Sequence, residues 1–155
     1  MRQIQVSAPT MAPRILLIDD NRNGLLARKV VLEEQGYSTV VANTPEGGLE
    51  EFREGGFDLV VTDFRMPGMN GKEVIEEIRK TNASVPVVLI SGLVDPLGLN
   101  EANTGADAVV AKNSNEVPQL LRTVSRLLRR GGPGKATLRK PPASQTSSIA
   151  RRKTS

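Results

Sequence analysis

The chain has 155 residues and contains neither cysteine nor histidine. Without cysteine there is no disulfide framework and no thiolate metal site. Without histidine the commonest general base and the usual zinc ligand are missing. No apolar run approaches the roughly 20 residues that span a bilayer. The leading MRQIQVSAPT lacks the apolar stretch of a secretory signal. A soluble cytoplasmic protein with no membrane association is the expectation, with its chemistry carried by oxygen donors and by lysine or arginine. The length suits one domain with a real core and is too short for two well-packed ones.

Charge is unevenly placed. The formal net charge is +4, yet residues 132–155 hold Lys135, Arg139, Lys140, Arg151, Arg152 and Lys153 with no acid, which is +6. The remainder is therefore +4 − 6 = −2. The folded part is slightly acidic, and the basicity belongs to a tail.

Residues 1–13 show no periodicity and carry Pro9 and Pro13, so they read as a disordered lead-in; Met11, directly before APRILLIDD, is a candidate start of translation. From Arg14 to about Arg130, aliphatic runs alternate with helix-like stretches, the pattern of βαβ crossovers in a parallel sheet. In the stretch Asn21 to Gln35, Leu25, Leu26, Lys29, Val30 and Leu32 fall at near-helical spacing, with Gly36 as the C-terminal cap. Thr44-Pro45-Glu46 supplies an N-cap, a first-turn proline and a first-turn acid. Residues 71–81 place Val74, Ile75 and Ile78 on one face. The last helix, Asn115 to Arg130, carries Val117, Leu120, Leu121, Val124, Leu127 and Leu128 as its stripe. Asp95 to Thr104 is weak: Asp95-Pro96 offers a cap, but Gly98, Asn100, Asn103 and Thr104 have poor propensity, so this helix should be short or mobile. Beyond Gly131 no apolar face offsets the ordering entropy, and residues 132–155 are expected to be disordered.

Four aliphatic runs each deliver polar residues at their far end. Ile15–Ile18 leads into Asp19-Asp20, Leu59–Thr62 into Asp63, Val87–Ile90 into Ser91, and Ala108–Ala111 into Lys112. Continuous aliphatic runs are the mark of parallel strands buried on both faces. Ligands of open α/β sheets bind beyond the carboxyl ends of such strands. Two carboxylates about 4 Å apart repel by about 4 kcal/mol at an effective dielectric near 20. Asp19, Asp20 and Asp63 together therefore call for protons or a cation. With oxygen ligands alone that cation is hard, and Mg2+ fits best. A carboxylate can also act as a nucleophile and form an aspartyl phosphate. Asp63 stands alone at a central strand end and suits that role, while Asp19 and Asp20 share the metal. An incoming phosphoryl group brings about −1.5 to −2 charge. Lys112 would supply a compensating charge and Ser91 a hydroxyl donor. Each feature alone has an ordinary reading. Asp-Asp caps helices, Asp63 precedes the turn-forming Met66-Pro67-Gly68, Ser-Gly is common in loops and lysines are usually solvated. Coincidence of all four at one sheet edge favours the joint site.

Over Arg14 to Arg130 the chain resembles the receiver domains of two-component response regulators, through ILLIDDN, DLVVTDFRMPGMNG, VVLISG and GADAVVAK. The resemblance implies a flavodoxin-like, doubly wound, five-stranded parallel sheet of order 2-1-3-4-5 with helices on both faces, over residues 14–131. It implies that Asp63 accepts phosphate from a phosphohistidine of a sensor histidine kinase or phosphotransfer protein. Asp19, Asp20, Asp63 and the backbone carbonyl of Arg65 would bind Mg2+, and Ser91 and Lys112 would contact the phosphoryl group. Two positions depart from the family pattern. Val109 stands where an aromatic switch residue is usual, and Asn113 replaces the proline that commonly follows the lysine. A cis non-proline bond costs about 2.5–4 kcal/mol, so Lys112–Asn113 should be trans. The Arg65 side chain either leans over the site or is solvated.

The basic tail could contact polyanions through counterion release, but it has no aromatic residues for base stacking. No helix-turn-helix follows the receiver, so specific DNA recognition is disfavoured. The leading expectation is a stand-alone receiver, not an enzyme, that signals to a downstream protein by phosphorylation-dependent contact, as a monomer or a phosphorylation-dependent dimer. The alternative is a receiver-fold binding scaffold acting without regulated phosphorylation. A phosphatase using Asp63 for turnover ranks last, because no second acid or base is evident.

Overall fold

The computed structural model describes residues 11–131. The tail expected to be disordered at 132–155, and residues 1–10 of the lead-in expected to be disordered over 1–13, lie outside the described residues; residues 11–13 carry no regular structure, and Pro13 O accepts from Ser38 N at 2.9 Å. Five strands, β1 (Arg14–Ile18), β2 (Ser38–Ala42), β3 (Leu59–Asp63), β4 (Val87–Ser91) and β5 (Ala108–Ala111), pair in parallel in the order β2-β1-β3-β4-β5. The order and direction match the expectation. Six helices connect or follow the strands: α1 (Arg22–Glu34), α2 (Pro45–Glu54), α3 (Gly71–Thr81), α4 (Val94–Leu97), α5 (Glu101–Thr104) and α6 (Glu116–Gly131).

Strand alternation sorts the core into two halves. Leu16, Ile18, Val60 and Leu89 pack with Leu49 and Phe52 of α2 and Val74, Ile75 and Ile78 of α3. Ile15, Leu17, Val61, Val88 and Ile90 pack on the other face with Leu25 and Leu32 of α1 and Leu120, Val124 and Leu127 of α6. Both faces are covered, which is why the central strands read as unbroken aliphatic runs rather than alternating ones.

Helix ends follow the cap chemistry. Asn21 caps α1 by accepting from Gly24 N, and Thr44 caps α2 by accepting from Gly47 N. Asn70 and Glu73 form a reciprocal capping box at α3. At the end of α1, Gly36 adopts φ +95° and donates to Glu33 O, while Tyr37 N reaches Leu32 O, a closure that suits glycine.

Two expectations need correction, the place of Val117 in the apolar stripe of α6 and the Asp95-Pro96 cap. Leu26 and Val30 are not on the buried face of α1: they are 51% and 54% exposed, and the buried stripe is Leu25, Arg28 and Leu32. Val117 of α6 is likewise exposed. The weak stretch before β5 is short, as expected: two one-turn helices, broken at Gly98 in the left-handed region; the expected Asp95-Pro96 cap does not form, since both residues lie inside the first helix, whose N-cap is Leu93 without a side-chain bond. Asn100 and Asn103 cap the second reciprocally, so the residues that lower helix propensity are those that end and restart the helix. No peptide bond among the described residues is cis, so Lys112–Asn113 is trans.

Candidate functional site

The carboxyl ends of β1, β3, β4 and β5 bring the polar residues together. Register explains the convergence: Ile18 lies opposite Thr62, Asp63 opposite Ile90, and Ser91 opposite Ala111. Each strand therefore releases its polar residue within about one residue of the same level. Asp19 and Asp63 are buried and Asp20 is exposed. Each of the three offers a carboxylate oxygen, and these oxygens lie within 4.8 Å of one another.

Cations answer this charge. Lys112 Nζ lies 2.9 Å from Asp63 Oδ1 and 3.7 Å from Asp19 Oδ2. The backbone N of Lys112 donates to Ser91 O at 3.0 Å, which holds the lysine at the strand end. Ser91 Oγ is buried and accepts from Leu93 N at 2.9 Å, leaving its own proton free to donate. The main chain after Asp63 is fixed by Phe64 N to Ile90 O at 3.0 Å and by Gly71 N to Phe64 O at 2.7 Å. Burial pushes the Asp63 carboxyl above its usual range. The Lys112 bond opposes this and the Asp19 charge adds to it.

The structure thus places Asp19, Asp20, Asp63, Ser91 and Lys112 at one edge. Arg65, whose backbone carbonyl was the remaining expected metal ligand, lies two residues beyond Asp63 with an exposed side chain that forms no hydrogen bond or ion pair among the described residues. The donor set fits Mg2+: hard carboxylate oxygens and no nitrogen or sulfur ligand.

Sequence reasoning missed Arg28. Only 6% exposed, it donates through Nη1 to Asp19 Oδ2 at 2.7 Å and through Nε to Glu116 Oε2 at 2.8 Å. Its signal was present in the spacing: Arg28 stands three residues after Leu25 and four before Leu32, on the buried stripe, where a charge requires partners.

Residues 15–125 match the family model of the response regulator receiver domain. A transcriptional regulatory protein of uncharacterised role from Bacillus subtilis, YkoG, is 32% identical over 119 residues, covering 76% of this chain and 52% of its own length. The chain therefore spans about half of that relative. Among solved structures, the Thermotoga maritima response regulator TrrA, in complex with Mg2+ and beryllofluoride, is 34% identical with a TM-score of 0.68, over 74% of this chain and 98% of that one. A complex of the histidine kinase ThkA with TrrA matches at 34% identity and a TM-score of 0.67, over 75% of this chain and 98% of that one.

Proposed function

The chain belongs to the response regulator receiver family, and from that premise we propose that it is a phosphoryl acceptor of a two-component pathway, with Asp63 as the acceptor. The observation that carries the reading is the buried Asp63 carboxylate, held 2.9 Å from Lys112 Nζ within a cluster of three convergent carboxylates.

In the transfer, an Asp63 oxygen attacks the phosphorus of a phosphohistidine on a sensor kinase or phosphotransfer protein. A P–O bond forms, the P–N bond breaks with its electrons on the imidazole, and that ring takes up a proton from water. The solved complex of TrrA with the histidine kinase ThkA supports a kinase as the partner. Asp19, Asp20, Asp63 and the Arg65 carbonyl would hold Mg2+, whose contribution is charge neutralisation and orientation of the phosphoryl oxygens. Lys112 keeps Asp63 ionised and oriented before transfer, then pairs with the added phosphoryl charge. Ser91 donates its hydroxyl proton to a phosphoryl oxygen. Asp63 is ion-paired to Lys112 and the chain has no histidine to activate an attacking water, which supports an acceptor with at most slow self-dephosphorylation rather than a phosphatase.

The domain spans residues 14–131, acts in the cytoplasm, and signals to a downstream protein by contact that depends on phosphorylation. Among the described residues no helix is long and apolar enough to cross a membrane. A second reading, a scaffold without regulated phosphorylation, draws on Val109, which is half-buried against the α2–α3 half of the core where an aromatic switch is usual.

The deciding experiment is intact-mass spectrometry after incubation with Mg2+ and acetyl phosphate, beside Asp63→Ala. A metal-dependent gain of one phosphoryl group in the native chain alone is expected. No adduct, together with no beryllofluoride binding, would discard the acceptor reading in favour of the scaffold.

A further inference from the structure

Arg28 occupies a core position of α1, and its guanidinium is spent on carboxylates from two other parts of the fold: Asp19, at the end of β1, and Glu116, the first residue of α6. Room for it is built in. A Cβ at Gly24, one turn earlier, would lie 3.3 Å from Arg28 Nη1 and 3.5 Å from Asp19 Oδ2. Both oxygens of Asp19 are already bonded: Oδ1 accepts from Asn21 N at 2.9 Å, and Oδ2 accepts from Arg28 at 2.7 Å with Lys112 Nζ at 3.7 Å. Counting charges, Asp19, Asp20, Asp63 and Glu116 against Arg28 and Lys112 gives −4 + 2 = −2, the complement of one divalent cation.

We infer that Arg28 and Glu116 form a latch that competes with the divalent cation for Asp19 and passes metal occupancy on to the segment from Lys112 to Glu116. The inference rests on reading Asp19, Asp20 and Asp63 as the metal site. A cation drawing on the Asp19 carboxylate would weaken its bond to the guanidinium and repel that guanidinium toward Glu116. Glu116 is tied to the same segment, since its backbone N donates to Asn113 O at 3.0 Å. This is the segment in which asparagine follows the lysine. The charge on Arg28 is thus a positioning device with two settings, bonded to both carboxylates without metal and to Glu116 with it. Linkage makes the effect reciprocal: whatever factor the cation takes from the Arg28–Asp19 bond, Arg28 takes from cation affinity.

The test is the Mg2+ dissociation constant of the full, unphosphorylated chain, measured by calorimetry for the native protein, Arg28→Gln, Glu116→Gln and the double variant Arg28→Met/Glu116→Met. The double variant removes the pair with no change in net charge, so it separates competition from bulk charge and protects the test if Arg28→Gln fails to fold. Arg28→Gln and the double variant should each bind Mg2+ roughly five- to tenfold more tightly. Glu116→Gln, which leaves Arg28 to Asp19 alone, should bind it more weakly. In the native chain, Mg2+ should also move the NMR signals of Arg28 Nε–H and the Asn113–Glu116 amides, and the amide shifts should shrink in the double variant. A merely structural arginine would give affinities within twofold of native for Arg28→Gln and the double variant, and that result overturns the latch alone. Absence of Mg2+ binding by every form overturns the metal site and the latch together. Binding by the variants but not by the native chain would be the strongest support.

Discussion

Gly71 opens α3 directly behind the candidate acceptor, and Gly71→Ala tests how tightly that contact holds the site. A Cβ there would stand 2.5 Å from the Asp63 carbonyl oxygen, 2.6 Å from Leu89 Cδ1 and 2.9 Å from Phe64 Cα. Ordinary contacts lie at about 3.5–4.0 Å, so the new methyl must gain about 1 Å of clearance. Leu89 is fully buried and the other two neighbours are backbone, so no flexible side chain can yield. If instead α3 backs away, the 2.7 Å bond from Gly71 N to Phe64 O is lost. Overpacking costs about 1–3 kcal/mol and the bond about 1 kcal/mol, so the total is about 2–4 kcal/mol. Helix propensity returns little of this at the first position of a helix. At about 4 °C per kcal/mol for a domain of this size, the melting midpoint falls by roughly 8–16 °C. Far-UV circular dichroism is the appropriate probe, because the chain has no tryptophan and one tyrosine. Gly92→Ala is the control: no atom lies within 4 Å of its Cβ position and its φ is not positive, so its midpoint should stay level or rise slightly. Because the displaced atom belongs to Asp63, acetyl phosphate labelling of Gly71→Ala should also drop. A Gly71→Ala midpoint within about 2 °C of native would refute the packing argument.

Burial raises the Asp63 carboxyl above its unfolded value despite Lys112. The folded chain therefore holds that proton more tightly, its stability rises as pH falls through the folded value, and the ionised group is a cost at neutral pH. Asp63→Asn should accordingly raise the midpoint in metal-free buffer at neutral pH, with the gain shrinking as pH is lowered into the carboxylate range; a lowered midpoint at neutral pH would mean that Lys112 outweighs burial. Arg79 ties α3 to the turn before β5 through Asp107 Oδ2 at 2.8 Å and Gly105 O at 3.2 Å, and Asp107 Oδ2 also receives Val87 N at 2.8 Å. Arg79→Ala should cost about 1–2 kcal/mol in urea unfolding, against no measurable change for Lys80→Ala, whose partner Glu77 is on the surface; equal effects would contradict this.

The strands and the chemistry of the site could be read directly from the residues. Aliphatic runs bounded by polar residues are a local signal, and a parallel sheet converts sequential strand ends into one spatial edge whatever the details of packing. That is why Asp19, Asp63, Ser91 and Lys112 could be placed together before any coordinates. The caps at Thr44 and Asn70 are equally local, since each side chain bonds a backbone N–H three residues on. What tertiary structure alone decided is which side of each helix is buried. In α1, the hydrophobicity of Leu26 and Val30 suggests burial, yet the helix turns Leu25, Arg28 and Leu32 inward. Arg28 is tolerated there because carboxylates 9 residues before it and 88 residues after it close on its guanidinium. No local pattern encodes a partner at that separation. A buried charge is decided by the distant groups that meet it, and those exist only once the sheet and α6 are in place.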